Sequence, residues 1–162
     1  MIIHRSSYID SLEQTIKRTP VTSLLGPRQC GKTTLARILE KKHDATFFDL
    51  ESSQDIQRLQ NPELVLGDLE GLVILDEIQE KPELFKTLRV LLDKPDRNIK
   101  FLILGSASPH IIKSASETLA GRTEFIELSG FNFMEIGQDN IQNLWIRGGY
   151  PLSYLAESIK KS

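Results

Sequence analysis

The chain has 162 residues, 40% hydrophobic and 26% charged, a balance that fits a soluble globular protein and excludes a disordered, collagen-like or disulfide-scaffold chain. Its 20 Lys+Arg against 22 Asp+Glu give a formal net charge of −2; no global basic field draws in nucleic acid or an anionic membrane, so such binding needs a local patch. The lone Cys30 fits a reducing, cytoplasmic compartment, no apolar run is long enough to span a membrane, and Met1-Ile2-Ile3-His4-Arg5 lacks the order of a secretory signal.

Ile9, Leu12 and Ile16 recur at helical spacing and predict a helix over 8–18, ended by Pro20. Residues 21–25 are a compact apolar run that stops at Gly26, as a buried strand does. A helix over 33–41 is expected to turn Leu35, Ile38 and Leu39 inward. A second strand over 45–50 and a short helix over 53–59 follow, the helix broken by Pro62. Residues 72–75 form a third strand that runs into Asp76-Glu77. Pro82 marks the start of a helix whose inner face is Leu84, Phe85, Leu88, Leu91 and Leu92. A fourth strand over 101–104 ends in Gly105-Ser106, and a helix over 109–120 leads to a fifth strand over 124–128. After Ser129 the chain turns Gly- and Asn-rich. An apolar group at 144–146 then leads to Gly148-Gly149-Tyr150-Pro151 and a last helix over 152–159. Alternating strands and helices predict an α/β fold with a mostly parallel sheet. Continuous apolar strands predict that helices cover both faces. The expected division is a core over 1–129, then a linker and the opening of a further region over 130–162.

The strongest signal is Gly26-Pro27-Arg28-Gln29-Cys30-Gly31-Lys32-Thr33, which fits G-x-x-x-x-G-K-[ST] between a predicted strand and a predicted helix. Gly26 and Gly31 let the backbone curl so that successive N–H groups face one concavity. A helix N-terminus there favours a phosphate. Lys32 can reach the β- and γ-phosphates, and the Thr33 hydroxyl can ligate Mg²⁺. Asp76, at the C-terminal end of a buried strand, is expected to hold the Mg²⁺ sphere. Glu77, one residue on, is expected to act as general base on water. A guanine reader is missing: the nearest string, Asp93-Lys94-Pro95-Asp96, lacks the Asn. Adenine nucleotide is therefore expected.

Four further residues carry two readings each. Ser106 either senses the γ-phosphate or caps the helix at Pro109, a cap that Ser108 fits equally. Arg122 either reaches a neighbouring subunit's γ-phosphate or is an ordinary cation at a helix end. Arg28 either does that work in cis, or braces the loop or faces a partner. Cys30 is either a reactive loop thiol, shielded by nucleotide, or a small packed side chain. The basic clusters Lys41-Lys42-His43 and Lys160-Lys161 read as solvated faces, and nothing points to base readout in a nucleic acid. Arg5 and Tyr8 are candidates for contact with adenine.

The loop extended through Thr34-Leu35-Ala36, with Phe48-Asp49-Leu50-Glu51 and Asp76-Glu77-Ile78-Gln79, resembles the prokaryotic AAA-type P-loop ATPases of the uncharacterised "ATP-binding protein" group. Gly105-Ser106-Ala107-Ser108, Leu119-Ala120-Gly121-Arg122 and Arg147-Gly148-Gly149-Tyr150-Pro151 continue the resemblance over nearly the whole chain. Cys30 departs from it, since members more often have Val there. The resemblance implies a three-layer fold with five strands ordered 5-1-4-3-2. That order sets the Ser106 strand between the loop strand and the Asp76 strand. It also implies that members continue into a C-terminal domain related to restriction-endonuclease folds, so that this chain is expected to be a fragment or a truncated member. Two functions follow: Mg²⁺-dependent ATP hydrolysis coupled to motion of an attached domain, or a nucleotide-dependent interaction switch with little or no turnover. Assembly into a homo-oligomer is an open expectation.

Overall fold

The computed structural model describes residues 3–95 and 98–156. Asp96, the pair Lys160-Lys161 and the far end of the predicted last helix lie outside the described residues. Five strands form one parallel sheet: β1 (Val21–Leu25), β2 (Thr46–Asp49), β3 (Gly71–Asp76), β4 (Ile99–Gly105) and β5 (Thr123–Glu127). Their order is β2-β3-β4-β1-β5, the implied order read from the other edge. Val21 registers with Phe101 on one side and Thr123 on the other, and Thr46 registers with Val73. The central strands are apolar along their length because both faces are covered. Val73, Leu75, Phe101 and Ile103 point to one side, and Leu72, Ile74, Leu102 and Leu104 to the other.

Helices α1 (Ser6–Arg18) and α2 (Lys32–His43) cover the second side with Leu12, Ile16, Leu35, Ala36 and Leu39. The first side is covered by α3 (Ser53–Arg58), α4 (Pro62–Gly67), α5 (Leu84–Leu92) and α6 (Pro109–Thr118). Leu66, Leu84, Phe85, Leu88, Leu91 and Ile111 fill that core. Each such side chain contributes roughly 1.5–3 kcal/mol on burial. The long strands and amphipathic helices thus make three layers, with every strand's C-terminal end on one edge.

Four local expectations change. Pro62 starts a helix as well as ending one: it occupies the first helical position of α4, and the Asn61 side chain accepts from the Leu64 N–H. Pro82 lies in the turn before α5, which begins at Leu84. Ile38, expected inward, is 46% exposed. The stretch after Gly130 that reads as turns folds into α7 (Phe133–Ile136) and α8 (Ile141–Arg147), and the expected last helix begins at Pro151 as α9 (Pro151–Tyr154). They pack around Phe131, Ile136 and Tyr154, with Ile3 and Leu144 against them. Met134 and Trp145 of this unit stay 86% and 90% exposed. Among the described residues no helix is long and apolar enough to cross a membrane.

Candidate functional site

The loop leaves β1, next to the centre of the sheet, and enters α2 directly. Gly31 caps α2 at φ 101, and Gln29 is left-handed at φ 63. Left-handed residues within a tight loop give the backbone the shape of an anion nest. Gly26 is required by contact rather than by φ: a Cβ there would lie 2.2 Å from the Leu128 carbonyl oxygen. Pro27, Arg28 and Gln29 form the exposed lip of the loop, and Thr34 is exposed on the first turn of α2. Arg28 extends into solvent, its guanidinium 4.0 Å from the Glu51 carboxylate. Cys30 is fully buried, as the packing reading expects. Lys32 is also buried; its ammonium donates to the carbonyls of Gly26 (3.0 Å) and Pro27 (2.8 Å), which holds the charge over the loop.

Two strands away, β3 delivers Asp76 to the same edge. The Thr33 hydroxyl donates to Asp76 Oδ2 at 2.8 Å, and the Glu77 N–H donates to Oδ1 at 3.0 Å. Burial pushes the Asp76 carboxyl above the ordinary aspartate range, the Thr33 bond opposes this, and the charges of Glu77 and Asp49 add to it. A divalent cation beside it would relieve that cost. A hydroxyl and one carboxylate suit Mg²⁺, which takes few protein ligands and completes its sphere with water and phosphate. No cluster of three or more His, Cys, Asp or Glu suited to an all-protein metal site exists among the described residues.

Glu77 is left-handed, with φ 57 and ψ 50, a strained conformation of the kind that gathers at functional sites. A short 3₁₀ turn, Ile78–Glu80, follows it. Gln79 Nε2 donates to the Glu77 carboxylate, while Gln79 Oε1 accepts from the Ser106 N–H at 3.2 Å. Ser106 stands at the tip of β4, between β3 and β1. Ser108 is the residue that caps α6, accepting from the Ile111 N–H. The capping role is therefore filled without Ser106.

A cavity of about 470 Å³ opens beside the loop. Its walls include Gly31 and Thr34, Leu35 and Ile38 of α2, Arg5, and Phe131 and Leu155. Tyr8 does not line it; its ring sits 4.7 Å from the Arg5 guanidinium. Arg5 joins three parts of the chain. Nη1 donates to the Cys30 carbonyl at 2.9 Å, Nη2 to the Gly130 carbonyl at 3.3 Å, and Nε and Nη2 to the Glu135 carboxylate at 2.5 and 3.1 Å. The phosphate loop is thus tied to α7. Nothing local in the sequence marks this pair, whose members are 130 residues apart.

Arg122 lies elsewhere. It precedes β5, whose first residue pairs with Val21 at the start of β1, whereas the loop follows Leu25. That is roughly 16 Å away along a parallel strand. Arg122 is partnered by Asp93. The structure brings together Lys32, Thr33, Asp76, Glu77 and Ser106, and leaves Arg122 at the opposite edge.

Comparison with known proteins bears on the family and the fold. Uncharacterized proteins of Mycobacterium bovis and Mycobacterium tuberculosis are each 46% identical over 162 residues, with the whole chain aligned to 37% of either relative. The chain therefore spans little more than a third of the length of those relatives. A Walker-type ATPase of Pyrococcus abyssi shares the fold, with a TM-score of 0.69 at 16% identity over 99% of this chain and 70% of that one. The AAA domain matches residues 18–137, a span that runs from the end of α1 through the loop, all five strands and α7. By that match the chain belongs to the AAA domain family of P-loop, nucleotide-binding proteins.

Proposed function

We propose that this chain binds ATP with Mg²⁺ and hydrolyses it. One observation carries the reading. The loop hydroxyl of Thr33 and the buried carboxylate of Asp76 meet at 2.8 Å, with Glu77 one residue on. Bound Mg²⁺ would supply charge neutralisation between the phosphates. The chain does the rest. Backbone N–H groups of residues 28–31 and the N-terminus of α2 bind the phosphates. Lys32 turns from the loop carbonyls to the β- and γ-oxygens. Thr33 and Asp76 hold the cation. Glu77 orients water and takes its proton as the water attacks the γ-phosphorus, while the bond to the β-bridging oxygen breaks. Ser106 reads the γ-phosphate from the neighbouring strand. The cavity beside Gly31 and Thr34 receives the base, with Leu35 and Ile38 on its apolar wall.

Arg122 can serve only a second copy of the chain, so its finger role requires a homo-oligomer. A further domain beyond these residues is supported by the greater length of the relatives. The lone cysteine supports a cytoplasmic setting. A switch with little turnover is the second reading. The apolar side chains left exposed on the C-terminal unit favour it, because a partner surface is what a switch must offer. Equilibrium dialysis with ATP tests the shared premise. Binding should require Mg²⁺ and weaken on the order of 100-fold in Lys32→Ala, as loss of a desolvated charge contact implies. Equal affinity in that variant would refute the site.

A further inference from the structure

Glu77 and Ser106 stand on neighbouring strands, and one side chain joins them. Gln79 gives its Nε2 hydrogens to the Glu77 carboxylate and receives the Ser106 N–H on Oε1. The partners fix which way round the amide lies. A backbone N–H needs an acceptor and a carboxylate needs a donor, so a flipped amide would lose both bonds. Packing seats the group as well. Ile78 is fully buried and anchors the turn. A Cβ at Gly105 would lie 2.9 Å from Ile78 Cγ2 and 3.0 Å from Gln79 Oε1. Only glycine at the end of β4 lets the Gln79 amide come so close. Glu77 is meanwhile held at φ 57, which costs a non-glycine residue on the order of 1 kcal/mol or more unless its surroundings enforce it. The Glu77 N–H bond to Asp76 Oδ1, the Glu80 N–H bond to the Glu77 carbonyl and buried Ile78 supply that enforcement.

We propose that Gln79 is a positioning residue for Glu77, clipping its carboxylate to the tip of β4 so that the base faces the γ-phosphate beside Ser106. The proposal rests on the reading of Glu77 as general base. A glutamate has three side-chain torsions, and a base displaced by about 1 Å loses on the order of 100-fold in rate. The clip also makes the base responsive: whatever moves the Ser106 N–H moves Gln79 and, through it, Glu77. Nucleotide affinity is set elsewhere, by the loop and the cavity.

Steady-state turnover and ATP affinity in wild type, Gln79→Met, Glu77→Gln and the double variant test this. Methionine keeps the length and removes both hydrogen bonds. In Gln79→Met, kcat should fall about 10- to 100-fold while ATP affinity changes less than about threefold. In the Glu77→Gln background the same change should cost nothing more, because the group it positions is gone. A kcat unchanged in Gln79→Met, or an equal loss in both backgrounds, overturns the clip and leaves the base reading standing. Turnover undiminished in Glu77→Gln alone overturns the base reading, and the clip with it. Amide exchange gives a readout independent of turnover: the Ser106 N–H should be protected in wild type and exchange about tenfold faster or more in Gln79→Met. Equal exchange in the two proteins also overturns the clip.

Discussion

Glu135→Ala should be among the costliest changes outside the sheet, and its effect should reach the phosphate loop. The Arg5 and Glu135 side chains are 5% and 4% exposed. Alanine would leave the guanidinium with two carbonyls, those of Cys30 and Gly130, and no counter-charge. Removing one member of a buried pair costs about 3–5 kcal/mol. The same carboxylate accepts the Asn132 N–H at 2.9 Å and closes a capping box on α7. Losing the box adds roughly 1 kcal/mol. Against a total stability of about 5–15 kcal/mol, the variant should be severely weakened. Glu135→Gln gives up the charge and the Arg5 Nε bond but keeps one oxygen that can still accept from Arg5 Nη2 and the Asn132 N–H, so it should lose less than Glu135→Ala, about 1–3 kcal/mol. Arg5→Met with Glu135→Leu removes both charges and should be milder than Glu135→Ala. Urea unfolding followed by far-ultraviolet circular dichroism is the suitable assay, because the one tryptophan is largely exposed already. ATP affinity should fall too in Glu135→Gln, since Arg5 also holds the Cys30 carbonyl. A loss below about 1 kcal/mol in Glu135→Ala would instead place the pair with ordinary surface ion pairs.

Other consequences follow from single contacts. Gly26→Ala should abolish ATP binding and cost about 3 kcal/mol or more, because its Cβ meets backbone at 2.2 Å; a melting temperature near wild type would contradict this. Burial raises the folded-state pKa of Asp76, so the native state keeps that proton to higher pH than the unfolded chain, and stability falls as pH rises from the ordinary aspartate range through the raised value. Asp76→Asn should therefore raise the melting temperature of the nucleotide-free chain at neutral pH, with the gain shrinking in acid, while Mg²⁺-dependent ATP binding is lost; a lower melting temperature at pH 7 would sink the argument. Cys30 should resist alkylation with or without ATP until the chain unfolds, and Cys30→Val should cost less than about 1.5 kcal/mol; rapid labelling of the native chain would show the loop to be open.

Much of this was legible in the sequence because the signals are local. An apolar run ending at Gly26 and another ending at Asp76 mark strand tips, and the strand tips place the loop and the carboxylate. The sheet order itself came from resemblance, since local pattern carries no strand neighbours. What stayed hidden is long-range or depends on a turn. Arg5 and Glu135 are separated by nearly the whole chain, and a lone arginine before a helix carries no mark of its partner. Tyr8 and Arg5 were equal candidates for the base, and only the packing of α1 shows that Arg5 lines the cavity and Tyr8 does not. Pro62 signals both an end and a beginning, and the Asn61 cap decides for a new helix. Arg122 and the loop sit at opposite ends of one parallel register, a relation that appears only once β5 is paired with β1. Ile141, Leu144, Trp145 and Ile146 belong to a helix too short for periodicity to reveal.

In the proposed function, Lys32, Thr33, Asp76 and Glu77 form one hydrolytic site. Phosphate release from ATP, measured for wild type and Glu77→Gln with Mg²⁺ and with EDTA, tests it most directly. Wild-type turnover should be abolished by EDTA and lowered about 100-fold or more by Glu77→Gln while ATP remains bound. ATP bound without phosphate release, with behaviour unchanged by Glu77→Gln, would contradict it and leave the interaction switch.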